Sequence, residues 1–414
     1  MRSPKPLNSG KSARRRLCSG ALAGVLIGTP VCLLAAPGAD NATADSSLPV
    51  SATVSAAVTV EEERVPAACQ AIKALNCGTQ TRPPALLTER LQPLDAAKTK
   101  RLGTQLWRRA QQTRDAKIVD DRLLYWQRLS LKRDLKTDHG TEANLSEHLA
   151  ILERASRGFD DLAFTAGADL NILVTGFDPF GLHNHIDQSN PSGVAALSFD
   201  GLVIESGGKR AELQSAMFPV RFEDFDNGMV ESVIKPLLAS GTIDAIVTIS
   251  MGRAGFDLER FPGRRRSATA PDNLLVKTGA NAKNPLIPLL DGKPLDGPEF
   301  VEFTLPVRAM LALQTPYPVK DNHDVTTLNR ERFAAASLES LNEATAVSGS
   351  GGGYLSNEIS YRSVRLARGA SRPIAAGHIH TPRIKGDDPA AVHNITWQIR
   401  RMLEALITQL PRRN

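Results

Sequence analysis

Short apolar strands alternate with amphipathic helices along the second half of this chain. The pattern begins with LNILVTGF at Leu170 and ends with a predicted helix, AAVHNITWQIRRMLEALITQL. The predicted strands between them are LVIES, ELQSAMFPV, IDAIVTIS, EFVEFTL, ATAVSGS and PIAAGHIH. Parallel strands need long crossover connections, so this alternation is typical of a mainly parallel sheet. The sequence predicts an α/β domain over residues 168–412, with three α/β/α layers around a mainly parallel central sheet. RFEDFDNGMVESVIKPLLASG is predicted to form one long helix within it.

A different pattern precedes this domain. From Val65 to about residue 165, apolar residues recur every three to four positions, as in DRLLYWQRLSLKRDL, which predicts a small helical extension. Trp107 and Trp126 are expected to be core or interface anchors and not ligand platforms. Residues 45–64, rich in Ala, Ser, Thr and Val before the acidic EEER, are predicted to be a flexible linker.

The first 44 residues have the layout of a secretory signal peptide. The basic KSARRR precedes the apolar LCSGALAGVLIGTPVCLLAA, and Ala42-Thr43-Ala44 fits a small-residue cleavage site. The alternative is an uncleaved membrane anchor, because the apolar stretch is almost long enough to span a bilayer. The pattern of the flanking residues favours cleavage and a periplasmic or secreted location.

Cysteine and charge usage agree with export and exclude one class of partner. Only Cys69 and Cys77 lie beyond the predicted signal peptide, and they are either a disulfide or two buried thiols on a helix.

The formal charge of +6 comes mostly from the N-terminus, so the remaining chain is near neutral. A nucleic-acid partner is therefore not expected. The basic run at residues 264–266 is predicted to be a solvated loop.

Four segments follow predicted strands: GFDPFG, SMGRAGFDLER, SGSGGGYLSNE and GHIHTP. Sites in parallel sheets lie at the carboxyl ends of strands, so these segments should meet at one edge. Ser356 is predicted to open a helix after glycines, His380 to end a strand, and Glu259 to lie in a loop after a strand. A serine nucleophile needs a neighbouring base, and a carboxylate orients that base. The other interpretation is an ordinary turn, where serine commonly follows glycine.

LVTGFDPFG followed by NPSGVAAL resembles the opening of the pyroglutamyl peptidase I family, cysteine peptidases that remove an N-terminal pyroglutamate. The resemblance continues in order through IDAIVTIS, LER, PDN, AVSGSGGGYLSNEISYR and GHIHTP, and covers about Leu170 to Leu410 with a longer insertion at 274–342. It implies that Glu259 and His380 are catalytic. It places Ser356 where the family has its catalytic cysteine, and Met251 and Thr269 where the family has a glutamine and an arginine.

The resemblance also implies a binding mode and a function. Phe177 and Phe180 would wall a lactam ring, and N–H groups near Leu355 and Ser356 would hold an oxyanion. The chain is then expected to be an exported amide hydrolase of the omega peptidase type. Its substrate would be a peptide or small acyl-amide, with no cofactor and no stable membrane contact after signal cleavage. The sequence leaves oligomerisation open.

Two other functions remain. One is a catalytically inactive homologue, a pseudoenzyme that acts as a binding or structural protein. The other is a metal hydrolase, in which His378, His380, His183 and His185 join Glu259 or Asp257 around zinc. The non-metal interpretation is preferred because no HExxH-type spacing occurs. In that interpretation His378 takes the place of an apolar core residue, and the histidines after GFDPFG lie in a solvated loop.

Overall fold

A mixed seven-stranded sheet organises the second half of the chain in the computed structural model, which describes residues 57–77, 93–112, 119–165 and 167–413. The strands are β1 (Leu170–Phe177), β2 (Leu202–Ser206), β3 (Lys209–Phe218), β4 (Ala245–Arg253), β5 (Phe256–Glu259), β6 (Leu289–Leu290), β7 (Lys293–Pro294), β8 (Val319–Asn322), β9 (Asp324–Thr327), β10 (Arg330–Ala334), β11 (Ala346–Ser348) and β12 (Ala375–Pro382). The predicted signal peptide and most of the predicted linker lie outside the described residues.

The strand order of the main sheet is β2-β3-β1-β4-β12-β5-β8. The four central strands, β3, β1, β4 and β12, run parallel to one another. The direction changes on both sides of these four strands, because β2 pairs antiparallel with β3 and β5 pairs antiparallel with β12. The predicted α/β fold with a mainly parallel sheet is confirmed. The antiparallel β5 proves important for the site.

Eleven α-helices occur in the described residues: α1 (Val60–Glu63), α2 (Val65–Ala71), α3 (Ala96–Gln112), α4 (Asp121–His139), α5 (Leu145–Ala155), α6 (Pro191–Phe199), α7 (Phe222–Asp226), α8 (Met229–Ala239), α9 (Val307–Leu311), α10 (Leu355–Arg368) and α11 (Pro389–Gln409). Ile172 faces a core shared with α6 and α11, whereas Leu173 faces a core shared with α8 and α10. Successive strand residues point to opposite faces. The sheet is therefore covered by helices on both sides, which gives the predicted three layers.

The predicted helical extension is α2 to α5, and it packs in the same compact unit as the sheet. Trp107 and Trp126 are fully buried, as expected. The Trp107 indole N–H donates to Asp200 in the turn after α6, at 3.1 Å. Cys69 and Cys77 form a disulfide, which settles the alternative left by the sequence. The extension is thus joined to the α/β domain by buried contacts.

The predicted linker extends too far. Its last residues form α1, a single turn in which the Thr59 hydroxyl accepts from the Glu62 N–H and the Glu62 carboxylate accepts from the Thr59 N–H. This reciprocal capping stabilises even a short helix. The acidic EEER is therefore helical structure and not linker.

In the α/β domain, the structure differs from the prediction at one helix and one strand. The expected long helix is divided into α7 and α8 at Gly228, which has a φ of 74°, outside the helical region. EFVEFTL is not a strand: the Val301 N–H donates to the Pro262 carbonyl at 3.1 Å, but Pro262 has no N–H with which to continue a ladder. Of this segment, only Phe300 forms an isolated bridge, to Gly263.

The basic run at residues 264–266 is not a solvated loop. Arg264 and Arg265 both pair with Glu299, and the buried Arg266 forms a two-point contact with Glu358 at 2.6 and 2.9 Å. These charges are satisfied internally. No helix in the described residues is long and apolar enough to cross a membrane.

Candidate active site

A buried histidine–carboxylate contact lies where β12 and β5 run side by side. The His380 Nδ1 and a Glu259 carboxylate oxygen are 2.5 Å apart. Glu259 is fully buried, and only 3% of His380 is exposed. The structure therefore brings together two of the three residues that the sequence suggested for a relay.

Glu259 is the last residue of β5 and not part of a loop, which corrects the expectation. Because β5 runs antiparallel to β12, with His380 opposite Asp257, the chain moves inward along the sheet between Asp257 and Glu259. Glu259 therefore lies further from the carboxyl end of β12 than His380 does, although it is the last residue of β5. The reversed strand accounts for the complete burial of the carboxylate.

Two side chains that the sequence analysis did not select hold Glu259. The Asn322 amide donates to its second oxygen at 2.7 Å, and the Arg253 guanidinium lies 3.2 Å from the first. Both also donate to the Ser350 carbonyl, at 3.0 and 2.9 Å. Arg253 of β4 and Asn322 of β8 thereby connect the Glu259 carboxylate to the glycine-rich loop before Ser356, which contributes the Ser350 carbonyl. The position of Arg253 in SMGRAG was a usable signal, whereas Asn322 lies in a strand of the insertion that the sequence did not reveal.

The protonation of the pair follows from burial. Burial raises the pKa of Glu259 to about 7, against the opposing effects of Arg253 and the Asn322 hydrogen bond. Burial, with the nearby Arg253 and Arg383, lowers the pKa of His380 well below its usual value. Above about pH 7 the pair is consequently a carboxylate and a neutral imidazole. The Nδ1–H then donates to Glu259, which leaves Nε2 as a base.

His378 has its ring nitrogens occupied. The Thr248 hydroxyl lies 2.8 Å from Nδ1 and the Ser250 hydroxyl 2.7 Å from Nε2. His378 is fully buried in the slot expected for an apolar residue, but these hydroxyls satisfy it as a polar group. Burial lowers its pKa well below the usual value, so it is neutral. The described residues contain no group of three or more His, Cys, Asp or Glu that could hold a metal ion.

Ser356 is the second residue of α10 and is partly exposed. The next residue, Asn357, fixes this helix end: its amide accepts from the Gly263 N–H at 2.9 Å and donates to the Gly263 carbonyl at 2.7 Å. Among the described residues, no hydrogen bond joins the Ser356 hydroxyl to His380. The structure thus places Ser356 at the predicted helix start but does not show the third contact of the relay.

The glycine-rich loop before Ser356 needs its glycines for space. A Cβ on Gly349 would lie 2.1 Å from the Asn357 side-chain oxygen and 2.2 Å from the Gly263 nitrogen. A Cβ on Gly353 would lie 2.0 Å from the Ser267 hydroxyl. The loop is therefore packed against the segment that follows Glu259, and it is not a free turn.

The three predicted substrate-contact residues differ in exposure. Phe177 is buried and stacks on Phe225, with ring centroids 6.2 Å apart. Leu355 is also buried, in the same core. Phe180 is partly buried and packs against both cores. Of the three, Phe180 is the one residue that is not fully buried.

A family model described as "PA0049, C-terminal domain" matches residues 171–293 and 319–385. A curated relative, the uncharacterized protein PA0049 of Pseudomonas aeruginosa strain PAO1, is 27% identical over an alignment of 350 residues, and the match covers 64% of this chain. The chain matches only 63% of that relative's length. The two ranges that the family model matches include β5 and the residues around His380.

Solved structures of pyrrolidone carboxyl peptidase from the hyperthermophile Pyrococcus furiosus are also similar. A mutant form is 22% identical and covers 58% of this chain and 100% of that chain, with a TM-score of 0.41. The structures reported with the cysteine-free mutant are 20% identical, with the same coverage and TM-score. A likeness of this size assigns no residue a role.

Proposed function

We propose that this chain is an exported hydrolase that cleaves a pyroglutamyl-type amide, with Ser356 as nucleophile, His380 as base and Glu259 as the residue that orients His380. The observation that carries the proposal is the buried His380–Glu259 contact of 2.5 Å. A buried carboxylate on one imidazole nitrogen fixes the tautomer that leaves the other nitrogen basic. Burying an ionisable pair costs stability, which is typical of functional sites.

The proposed reaction forms an ester intermediate. The Ser356 oxygen attacks the amide carbonyl carbon while its proton passes to His380 Nε2, and the carbonyl oxygen becomes an oxyanion. First-turn N–H groups of a helix lack intrahelical acceptors, so those of Leu355 and Ser356 are available to stabilise that charge. The imidazolium then protonates the leaving amine as the C–N bond breaks. Water, deprotonated by His380, hydrolyses the ester and regenerates Ser356.

A chromogenic pyroglutamyl amide tests the proposal directly. The mature protein should release the chromophore, and Ser356→Ala should abolish release. Ser371→Ala is the matched control, because Ser371 is an exposed serine in the turn beyond α10. Equal turnover by Ser356→Ala and the wild type would refute the assignment of Ser356.

A binding protein without catalysis is the second candidate, and one observation favours it: among the described residues, Ser356 has no hydrogen bond to His380. This candidate predicts no hydrolysis of any acyl amide or ester, together with a rise in Tm when a pyroglutamyl peptide binds. A fluorophosphonate reacts covalently with an activated serine. Labelling of the wild type that is lost in Ser356→Ala would exclude the binding-only function.

Export is part of the same proposal. A disulfide persists in oxidising compartments, and the Cys69–Cys77 disulfide supports such a location. An exposed catalytic thiolate would be oxidised there, whereas a serine hydroxyl would not. Fractionation of cells that produce the full chain tests this: recovery of the shortened protein outside the cytoplasm is expected, and full-length protein in the cytoplasm would contradict it.

A further inference from the structure

Helix α4 of the extension contacts the beginning of the segment 178–190, which connects β1 to α6 and is called here the β1–α6 loop. Arg128 of α4 donates to one oxygen of Asp178 at 2.6 Å, and Arg157 donates to the other at 2.7 Å. All three side chains are almost completely buried. A buried charge pair with good geometry holds its partners firmly, because separating them leaves an uncompensated charge.

The same helix contacts the end of this loop. The Asp121 carboxylate accepts from the Ser189 hydroxyl at 2.6 Å and from the Asn190 N–H at 2.8 Å. Arg122 also donates to the Asp187 carbonyl at 3.3 Å. Asp121 and Arg128 are seven residues apart, which places them on one face of α4. One helix face therefore holds both ends of the β1–α6 loop.

A third contact lies next to Phe180. The Asn273 amide donates to the Pro179 carbonyl at 2.9 Å. The same amide lies 3.4 Å from the Tyr125 hydroxyl of α4, and Arg64, which joins α1 to α2, donates to the Asn273 carbonyl at 3.1 Å. The backbone immediately before Phe180 is thus fixed through Asn273 by Tyr125 of the extension and by Arg64.

We propose that α4 shapes the β1–α6 loop so that Phe180 faces the acyl group of the substrate, with Asp121 and Arg128 as positioning residues. The part concerning the substrate rests on the proposed function. The part concerning the loop rests on the contacts alone. The extension is then a component of the binding site, although it comes from a separate part of the sequence.

Hydrogen–deuterium exchange of the loop tests the structural part. Arg128→Met should speed exchange in peptides covering residues 179–188 by about tenfold or more, and leave peptides from β4 and α11 unchanged. Arg108→Met is the matched control, because Arg108 is an exposed arginine of the same extension that pairs with Asp161 at 3.1 Å. Unchanged exchange in the loop, or equal acceleration across the whole protein, would overturn the proposal.

Kinetics on the pyroglutamyl amide test the substrate part. Arg128→Met should raise KM about tenfold with kcat within about threefold of the wild type, because misplacing Phe180 weakens binding of the acyl group. Arg128→Lys, which keeps the charge, should restore most of the loss. A fall in kcat without a change in KM would contradict a positioning role.

The two proposals fail separately. If the wild type shows no turnover, the proposed hydrolase function is refuted. Hydrogen–deuterium exchange of the β1–α6 loop then still tests whether α4 holds that loop in place. If Arg128→Met does not fold, Asp121→Ala is used in the same exchange experiment, with acceleration expected at residues 185–190. Absence of acceleration there in a folded Asp121→Ala protein refutes the role of α4.

Discussion

Replacing Glu259 by glutamine should make the protein's stability less sensitive to rising pH. Glu259 is fully buried and its pKa is raised to about 7 from a usual 4.5. Between these two values the unfolded chain has an ionised Glu259 while the folded chain retains the proton. Relative to the Glu259→Gln variant, which lacks this titration, the wild type therefore loses stability as pH rises through this window.

The size of the effect follows from the two pKa values. One unit of pKa corresponds to about 1.4 kcal/mol, so the wild type should lose about 2.5 kcal/mol relative to Glu259→Gln between pH 5 and pH 8. Costs of the substitution that do not depend on pH, such as altered contacts with Arg253, cancel in this difference. For a chain of this length the unfolding entropy converts the difference into a relative Tm shift of about 3 °C.

Calorimetry or denaturant unfolding at pH 5 and pH 8 measures this difference. Glu358→Gln is the matched control: burial alone would raise the pKa of Glu358, but Arg266 and Arg362 hold it below its usual value of 4.5. Its ionised form stabilises the fold, and that stabilisation is lost only below its usual pKa, so Glu358→Gln should cost nearly the same stability at pH 5 and at pH 8. The same pH dependence for wild type and Glu259→Gln would refute the argument that burial governs Glu259.

Three further outcomes are expected. Asn322→Ala removes a hydrogen-bond donor that lowers the pKa of Glu259. In a pH–rate profile, the rise of kcat with pH should therefore move to higher pH, and kcat should fall about tenfold. An unshifted profile would count against a role for this contact. Cys69→Ser with Cys77→Ser should lower the free energy of unfolding by about 2.5 kcal/mol in denaturant, and the wild type under reducing conditions should match it, because the disulfide closes a short loop. Gly349→Ala should give a lower Tm and less soluble protein, because its Cβ overlaps a backbone nitrogen; an unchanged Tm would show that the loop can move aside.

The sequence predicted the parallel core of the sheet because that core depends on local patterns. LNILVTGF, IDAIVTIS and PIAAGHIH are continuous apolar runs, and each became a central strand. The antiparallel β5 was not predicted, since four residues carry too little periodicity to reveal a direction. The strands of the insertion were missed for the same reason, and with them Asn322.

The sequence predicted which residues belong to the candidate site, but it did not predict the distances between them. His380 and Glu259 were selected from motifs, but their distance depends on the pairing of β12 with β5, which no local pattern encodes. The role of Arg266 was misjudged because its partner Glu358 lies 92 residues away along the chain. Contacts of this kind are set by tertiary packing, so sequence spacing cannot report them.

The two hydrogen bonds between the Asn357 side chain and Gly263 limit how the start of α10 can move. The Asn357 side chain binds both the N–H and the carbonyl of Gly263, four residues after Glu259, so the start of α10 is joined to the segment that follows β5. Translation of α10 relative to Gly263 would break both bonds at once. Rotation about the Cα–Cβ bond of Ser356 breaks neither bond, so the direction of its hydroxyl can change while this backbone stays in place.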